Sequence, residues 1–291
     1  MLSLSTIVFF NFILLILTLF SATVFLLDKF YYKQYADQDY EPNWIISLSY
    51  DLLPVLIIIM IVRTYIYEPF SIPSESMYPQ LTNGDFIIVK KWSYSLKLPF
   101  TNYGIVDVNS PQRGDVAVFQ YPIDKNTHFI KRVIGVPNDT LMWQDNDFFI
   151  NDQRIENEYA PVNLSEQKGG VSYRWEYFGE KRHLIRKLQN DEVSKFNTMY
   201  DFAKLLSDRN FKEQGIDPKE RSNTIKIKVP KDYYFVMGDN RDQSMDSRSW
   251  GFVHKSYFVG KAEYIVFHSN VDVPFWNIFN KITFNRNKQI S

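Results

Sequence analysis

Two long apolar segments near the N-terminus constrain the fold of this chain more than any other feature. Residues 1–27 contain no charged side chain, and Ile7 to Leu27 is an almost continuous series of Ile, Leu, Val and Phe. About 20 apolar residues in a helix cross the hydrocarbon core of a bilayer, which is about 30 Å thick. A cleaved secretory signal would carry Lys or Arg before a shorter apolar run, so we predict an uncleaved membrane span over about residues 5–27.

The second apolar segment covers residues 44–66 and carries charge only at Asp51 and Arg63. The eleven residues between these two include Pro54, which a helix tolerates if Asp51 caps it and Pro54 falls in the first turn. The long side chain of Arg63 can extend its charge to the membrane interface. On length we predict a second span over about residues 44–66, with a buried core helix or a re-entrant helix as the alternative.

Lysines near the two spans predict how the chain crosses the membrane. The connecting loop, residues 28–43, carries Lys29 and Lys33, whereas residues 1–27 and 64–83 carry no Lys or Arg. Cytoplasmic loops carry the excess of Lys and Arg in membrane proteins. We therefore predict that the loop is cytoplasmic, and that the N-terminus and everything after residue 67 lie on the opposite side.

The remainder of the chain has the pattern of a mostly antiparallel β domain. Short apolar or alternating runs, separated by Gly, Pro and Asn-Asp turns, predict strands. These runs are residues 85–90, 115–121, 128–135, 147–151, 224–229, 233–237 and 261–268. A more polar stretch, residues 152–223, includes helical apolar spacing over residues 191–208, which predicts an inserted α+β subdomain. The predicted organisation is an anchor at 1–67, a β domain from 68–151 and 224–270, an insertion at 152–223 and a C-terminal tail at 271–291.

Composition excludes several kinds of chemistry. The chain has no Cys, which rules out disulfides, thiolate zinc sites and a cysteine nucleophile. Lys plus Arg and Asp plus Glu number 33 each, so there is no basic excess of the kind that indicates nucleic acid as a partner. The Gly-x-Ser-x-Gly motif of many hydrolases is absent, and none of the four His residues has a local link to a serine. A Ser-His-Asp triad assembled in space stays open.

A lysine is the other base that a serine can use. In an extended strand Phe129, Lys131 and Val133 share one face, so the Lys131 amine would lie between two apolar side chains. Burial disfavours the ammonium ion, and about 3 kcal/mol would lower its pKa from about 10.4 to a working value near 8. A neutral amine could then take the proton of a serine hydroxyl. The alternative is a surface lysine with its charge in water.

A polar segment near the C-terminal end of the β domain, GDNRDQSMDSRSW at residues 238–250, has three interpretations. Its Asp and Asn content suggests calcium, but the Gly and Glu of an EF-hand loop are not in register. It could be a polar surface turn, or a loop whose hydroxyls and carboxylates orient a base. Spacing alone leaves these three open.

Two other features each have two interpretations. Arg113-Gly114-Asp115 matches an integrin-binding tripeptide, but it directly precedes a predicted strand and fits a turn. Phe275, Trp276, Ile278 and Phe279 could contact the membrane interface or belong to the core.

Four blocks, in this order, resemble the bacterial type I signal peptidases, the membrane-anchored serine–lysine proteases that remove signal peptides from exported proteins. They are EPFSIPSESMYPQL with GDFIIVKK, RGDVAVF, HFIKRVIGVPND and GDNRDQSMDSRSWGFV, within residues 68–253. The resemblance implies Ser76 as nucleophile and Lys131 as its general base. It also implies that the Ser76 N–H and the Ser74 hydroxyl hold the oxyanion, and that Ser244 hydrogen-bonds the lysine amine. Asp246 and Arg248 match a supporting pair.

The resemblance further implies a substrate, a location and a binding surface. The partners would be signal-peptide-bearing precursors and membrane lipid, with no nucleic acid, metal or cofactor, and cleavage would follow small residues of the Ala-x-Ala type. The protein would be a multi-pass protein of the bacterial inner (cytoplasmic) membrane, with the catalytic domain on the periplasmic or outer face. The subsites would be lined by Phe70, Ile72, Met77, Leu81, Ile87, Val118, Phe129 and Ile130. We expect the substrate to bind extended beside the strand containing Val116 and Val118.

Two positions and one segment depart from the family's pattern. Glu75 lies between the two serines where many members have a small residue, and Phe129 stands where many have Tyr. The insertion, residues 152–223, matches least.

Two rival functions stay open. A soluble self-cleaving serine–lysine repressor is a rival within enzymes, although the apolar segments argue against it. A membrane-tethered adhesion module, with residues 113–115 as its contact, is a rival from another class.

Overall fold

The computed structural model divides the chain into two compact units, Leu2–Glu68 and Pro69–Ser291. The structure describes residues 4–33, 40–97, 104–144, 147–161, 170–188, 224–270, 272–274 and 277–290.

The first unit consists of two apolar helices. Helix α1 (Leu4–Leu27) continues into a π-helical turn at Asp28–Tyr32, and helix α2 (Trp44–Ile61) continues into a second one at Val62–Ile66. Each is long and apolar enough to cross a membrane. Large apolar side chains along both are exposed, which is costly in water and favourable in lipid. The prediction of two N-terminal apolar helices is confirmed.

The start of α2 differs from the prediction. The side chain of Asn43 accepts a hydrogen bond from the Ile46 N–H at 3.1 Å, so Asn43 and not Asp51 is the N-cap. Asp51 and Pro54 both lie inside the helix. Pro54 has no N–H to donate to the preceding turn, so α2 continues past it with one backbone hydrogen bond fewer.

The second unit is built from β-strands, the first of which begins at the last two residues of the first unit. In chain order they are β1 (Tyr67–Ser71), β2 (Asp85–Lys90), β3 (Ser95–Lys97), β4 (Gly104–Asp107), β5 (Val116–Gln120), β6 (His128–Gly135), β7 (Thr140–Gln144), β8 (Asp147–Ile150), β9 (Gln153–Arg154), β10 (Asn157–Tyr159), β11 (Val171–Phe178), β12 (Lys181–Leu188), β13 (Thr224–Lys228), β14 (Tyr233–Met237), β15 (Val253–His254), β16 (Phe258–Ser269), β17 (Ile282–Thr283) and β18 (Lys288–Gln289). Two short helices, α3 (Ser247–Trp250) and α4 (Ile278–Lys281), are the only α-helices among the described residues of this unit.

One large sheet carries the unit, in the order β1-β2-β16-β5-β6-β14-β15, with β17 and β18 also paired to β16. The pairs formed by β5, β6 and β16 are antiparallel, as the alternating sequence predicted. Three smaller sheets are β13-β7-β8-β9, β10-β11-β12 and β3-β4. A mostly antiparallel β domain is therefore confirmed.

The described part of the predicted insertion is β structure. Strands β11 and β12 form a long antiparallel hairpin, with β10 on its outer edge. We refer to β11 and β12 as the inserted hairpin. The helix predicted at residues 191–208 lies outside the described residues, so the α part of the predicted α+β subdomain stays a prediction.

The C-terminal segment joins the large sheet. Ile290 is 5 % exposed and belongs to the core under β2 and β16. Arg286 makes an ion pair with the buried carboxylate of Asp85, with Nε 2.9 Å from Oδ1. Phe279 is 97 % exposed, whereas residues 275 and 276 lie outside the described part of the chain.

The Arg113-Gly114-Asp115 tripeptide forms a structural turn. Gly114 has φ +88°, a conformation that favours glycine. Arg113 pairs with Asp139 at 2.7 Å. Asp115 is 4 % exposed and accepts a hydrogen bond from the Lys261 amine at 2.6 Å. An adhesion contact needs an accessible carboxylate, so this geometry argues against the adhesion interpretation.

Candidate active site

The turn at residues 74–76, called the serine turn below, lies between two buried anchors. Ile72 and Met77 are 2 % and 0 % exposed, whereas Ser74 and Glu75 are exposed. The Leu81 N–H donates to the Met77 carbonyl at 2.9 Å and closes the chain into a compact loop. Because both anchors are held in the core, the serines are presented at the surface of the β domain.

Lys131 reaches the serine turn from strand β6. Its Nζ donates a hydrogen bond to Ser76 Oγ at 2.5 Å, and the residue is only 4 % exposed. Ala117 of β5 lies opposite it in the sheet, and the centre of the Phe129 ring lies 5.4 Å from Nζ. The alternation of β6 predicted an amine among apolar groups, and the structure brings this amine to Ser76.

Burial lowers the pKa of the Lys131 amine from 10.5 to about 8, because the charged form loses its hydration. The negative charges of Asp246 and Asp239 oppose this shift, and the positive charge of Arg248 adds to it. At neutral pH a useful fraction of the amine is therefore uncharged. An uncharged amine in contact with a serine hydroxyl can act as a general base.

The other predicted oxyanion group, Ser74, lies beside Ser76. Their hydroxyl oxygens are 3.5 Å apart, at the outer limit of a hydrogen bond. Between them, Glu75 faces solvent, and its carboxylate accepts a hydrogen bond from the Thr82 hydroxyl at 3.3 Å. The carboxylate that the sequence left unexplained thus points to a neighbouring hydroxyl at the surface.

A segment at residues 238–248, called the support loop below, packs against the serine turn. A Cβ added to Gly238 would lie 2.3 Å from the Ser76 carbonyl oxygen and 2.2 Å from Ser244 Oγ, so only glycine fits there. Ser244 Oγ is buried and has no hydrogen-bond partner among the described residues. The expected hydrogen bond from Ser244 to the Lys131 amine is therefore not formed in this structure, and the supporting role of Ser244 stays a prediction.

Asp246 and Arg248 form a paired unit inside the support loop. Arg248 Nε and Nη2 each lie 2.8 Å from a carboxylate oxygen of Asp246, which also accepts from the Gly238 N–H at 3.0 Å. Burial raises the pKa of Asp246, but the charge and hydrogen bonds of Arg248 outweigh it, so the pKa lies below its ordinary value. Asp246 thus stays ionised and holds the loop closed beside Lys131.

Sequence analysis missed three contacts that connect the support loop to the site. The N–H of Asn240 donates to the Ser76 carbonyl at 3.2 Å, and its side-chain Nδ2 donates to the Glu75 carbonyl at 3.1 Å. The fully buried Asp239 pairs with Arg132, the residue after Lys131, through two hydrogen bonds of 2.8 Å. No signal in the sequence marked these residues apart from their place within the matched blocks.

Most of the predicted subsite residues form one cluster. Ile72, Met77, Leu81, Ile87, Val118 and Ile130 pack together in the core, and Phe70 packs against them. Met77, Leu81 and Ile87 have no exposed surface. Phe129 belongs to a different cluster, where its ring stacks on Tyr121 with centres 4.5 Å apart. Substrate contact by these eight residues stays a prediction.

The expected substrate position beside Val116 and Val118 is wrong. These residues lie in β5, which pairs with β6 on one side and with β16 on the other. An extended peptide can add only to an unpaired strand edge. In contrast, β14 pairs with β6 only from Arg132 onward, so among the described strands none covers that side of β6 at Phe129–Lys131.

The described residues also contain a serine–histidine pair. Ser256 Oγ lies 2.9 Å from His254 Nδ1, and the Ser256 N–H donates to the same nitrogen at 3.3 Å. The pair is exposed and closes a turn, so the imidazole serves as a local cap.

In the part of the chain that the structure describes, no group of three His, Asp or Glu side chains could hold a metal ion.

Comparison with known proteins identifies the family of this chain. A sequence model described as "Signal peptidase, peptidase S26" matches residues 45–267. A signal peptidase I of Buchnera aphidicola from Schizaphis graminum is 41 % identical over 234 residues, which are 74 % of this chain and 72 % of that protein. One from Buchnera aphidicola of Acyrthosiphon pisum is 40 % identical over 72 % of this chain and 71 % of its own length. One from Pseudomonas fluorescens is 36 % identical over 75 % and 71 % respectively.

These matches and the two apolar helices define a class, that of the membrane-anchored serine peptidases. Within this class, the chain belongs to the signal peptidase family, peptidase S26.

Proposed function

We propose that the protein removes N-terminal signal peptides from exported precursors, with Ser76 as nucleophile and Lys131 as general base. The observation that carries this proposal is the contact of 2.5 Å between Ser76 Oγ and an amine that is 4 % exposed. The pKa of that amine, lowered to about 8, gives it the basicity that the reaction needs.

The chemistry follows from the uncharged amine. Lys131 takes the hydroxyl proton as Ser76 Oγ attacks the scissile carbonyl, and then gives a proton to the leaving amine as the peptide bond breaks. Water, deprotonated by the same amine, attacks the resulting ester and releases the carboxylic acid and the free serine. The oxyanion formed in each step accepts hydrogen bonds from the Ser76 N–H and the Ser74 hydroxyl.

The substrate binds extended beside β6, at the edge formed by Phe129–Lys131. This edge leads directly to the Lys131 amine, so a peptide paired there presents a carbonyl to Ser76. The neighbouring core is closed, because Met77, Leu81 and Ile87 have no exposed surface. Cleavage after small residues of the Ala-x-Ala type is the specificity that membership of this family implies.

The location follows from the anchor. With Lys29 and Lys33 in the loop between the spans, that loop is cytoplasmic and the catalytic domain lies on the periplasmic or outer face of the bacterial inner membrane. The partners are then precursor proteins held in the bilayer by their signal peptides, together with the lipid around the two helices.

The test is cleavage of a precursor by the full-length protein in detergent, with the product N-terminus sequenced. Ser76→Ala and Lys131→Ala should each abolish cleavage. Ser256→Ala is the matched control, because it removes a serine hydroxyl that also contacts a base. Full activity of the Ser76→Ala or Lys131→Ala protein, or loss of activity only with Ser256→Ala, would refute the proposal.

A further inference from the structure

We propose that Arg186, on strand β12 of the inserted hairpin, is a positioning residue that orients the Ser76 N–H through the side-chain amide of Asn240. The inference rests on the proposed function, since it concerns how the serine turn is held for catalysis. It also gives the inserted hairpin a role in that reaction.

Asn240 controls the peptide unit that carries the Ser76 N–H. Its Nδ2 donates to the Glu75 carbonyl at 3.1 Å, and Asn240 itself is 2 % exposed. The Glu75 carbonyl and the Ser76 N–H belong to one planar peptide group, so fixing the carbonyl fixes the direction of the N–H. The Glu75 carbonyl also accepts from the Tyr78 N–H at 3.0 Å, so Asn240 provides part of this restraint.

Arg186 determines which way the Asn240 amide points. Arg186 Nη1 donates to Asn240 Oδ1 at 3.0 Å and to Gln243 Oε1 at 2.7 Å. With the oxygen facing a guanidinium, the NH₂ end must face the Glu75 carbonyl. The opposite orientation would set donor against donor at Arg186 and acceptor against acceptor at Glu75.

The hairpin itself is docked by contacts that do not need the guanidinium. The Arg186 N–H donates to the Asp239 carbonyl at 2.9 Å, and the Leu188 N–H donates to Asp242 Oδ2 at 2.7 Å. Glu176 of β11 forms a buried two-pronged ion pair with Arg241. Replacement of the Arg186 side chain therefore leaves the hairpin in place and removes its side-chain contacts with Asn240 and Gln243.

The experiment measures precursor cleavage by the full-length protein in detergent. Loss of one fixed oxyanion donor costs about 10²–10³ in kcat, and because the Tyr78 contact remains we expect Arg186→Ala to lower kcat by about tenfold. KM should change by less than about twofold, since the effect is on the transition state. The pH midpoint should stay near 8, because Lys131 keeps its burial. Arg186→Lys, which keeps the charge and one donor, should recover part of the loss.

Arg182→Ala is the matched control, because Arg182 lies on the same strand, is exposed and stacks on Trp175 with its guanidinium 4.7 Å from the ring centre. It should leave kcat unchanged. A double-mutant cycle tests whether Arg186 acts through Asn240. Arg186→Ala should not lower kcat further in the Asn240→Ala protein, because both substitutions remove the same restraint.

Several outcomes would overturn the inference. They are an unchanged kcat in the Arg186→Ala protein, an equal loss in the Arg182→Ala protein, a change in KM alone, or multiplicative losses in the cycle. Failure of the proposed function is distinguishable, because the Ser76→Ala protein would then be active, whereas failure of this inference leaves the Ser76→Ala protein inactive.

Discussion

The uncharged state of Lys131 is the property on which the proposed mechanism depends, and Lys131→Met tests it directly. Methionine keeps an unbranched side chain of similar volume and removes the titrating amine. A pKa lowered from 10.5 to about 8 corresponds to about 3 kcal/mol that disfavours the charged amine in the folded protein, at about 1.4 kcal/mol for each pKa unit. This lowered pKa predicts how both the rate of cleavage and the free energy of unfolding depend on pH.

The pH profile of cleavage by the native protein should rise about tenfold for each pH unit below 8 and level off above it, because only about a tenth of an amine with pKa 8 is uncharged at pH 7. The Lys131→Met protein should be inactive at every pH. Lys97→Met is the control, because burial and the neighbouring Lys91 also lower the pKa of Lys97 to about 8 while its amine contacts the Ser256 carbonyl. The Lys97→Met substitution should not change the pH profile of cleavage. A rate that rises up to pH 10, or a profile that moves with Lys97→Met, would refute the reasoning.

Stability should change with pH in a direction set by the same shift. Between about pH 8 and 10.5 the folded protein has lost the Lys131 proton and the unfolded chain still holds it, so the free energy of unfolding rises with pH. Below pH 8 both states are protonated and the contribution is constant. Relative to the Lys131→Met protein, the native protein should therefore gain up to about 3 kcal/mol between pH 7 and 10.5 in denaturant unfolding followed by Trp fluorescence. A difference that does not change with pH would show that the amine is not desolvated.

Two further substitutions test the packing around the site. Gly238→Ala places a Cβ 2.3 Å from the Ser76 carbonyl oxygen, and the resulting shift of the serine turn should lower kcat by about 10²-fold; an active protein would contradict the close contact. Arg286→Ala leaves the buried carboxylate of Asp85 with less charge compensation and should lower the free energy of unfolding by about 1–3 kcal/mol. Arg154→Ala breaks an exposed ion pair and should lower the free energy of unfolding by less than about 0.5 kcal/mol. Equal losses of stability in the two variants would contradict the difference expected between a buried and an exposed carboxylate.

Local sequence patterns predicted the elements of this fold well, because each pattern is read from neighbouring residues. A run of about 20 apolar residues and a strand that alternates every two residues both report on burial. The cap of α2 was wrong for the same reason: Asp51 and Asn43 are both good capping residues, and the choice between them depends on where tertiary contacts begin the helix.

Local sequence patterns could not predict which strands pair with each other. Val116 and Val118 were correctly placed in a strand, but nothing in their sequence says that both edges of this strand are occupied. An edge is a property of the sheet, since it depends on which strands from elsewhere in the chain form hydrogen bonds with it. The strand edge to which a substrate could pair can therefore be assigned to β6 only when the order of strands in the sheet is known.

Sequence by itself determined the class of structure: two apolar helices, an antiparallel β domain, and the blocks that contain Ser76 and Lys131. Only the tertiary structure decided that these two side chains touch across 55 residues of chain, that Asn240 hydrogen-bonds the serine turn, and that Arg186 hydrogen-bonds Asn240. The physical reason is that hydrophobic patterning acts over a few residues, whereas a hydrogen bond or a lowered pKa depends on groups that folding alone brings together.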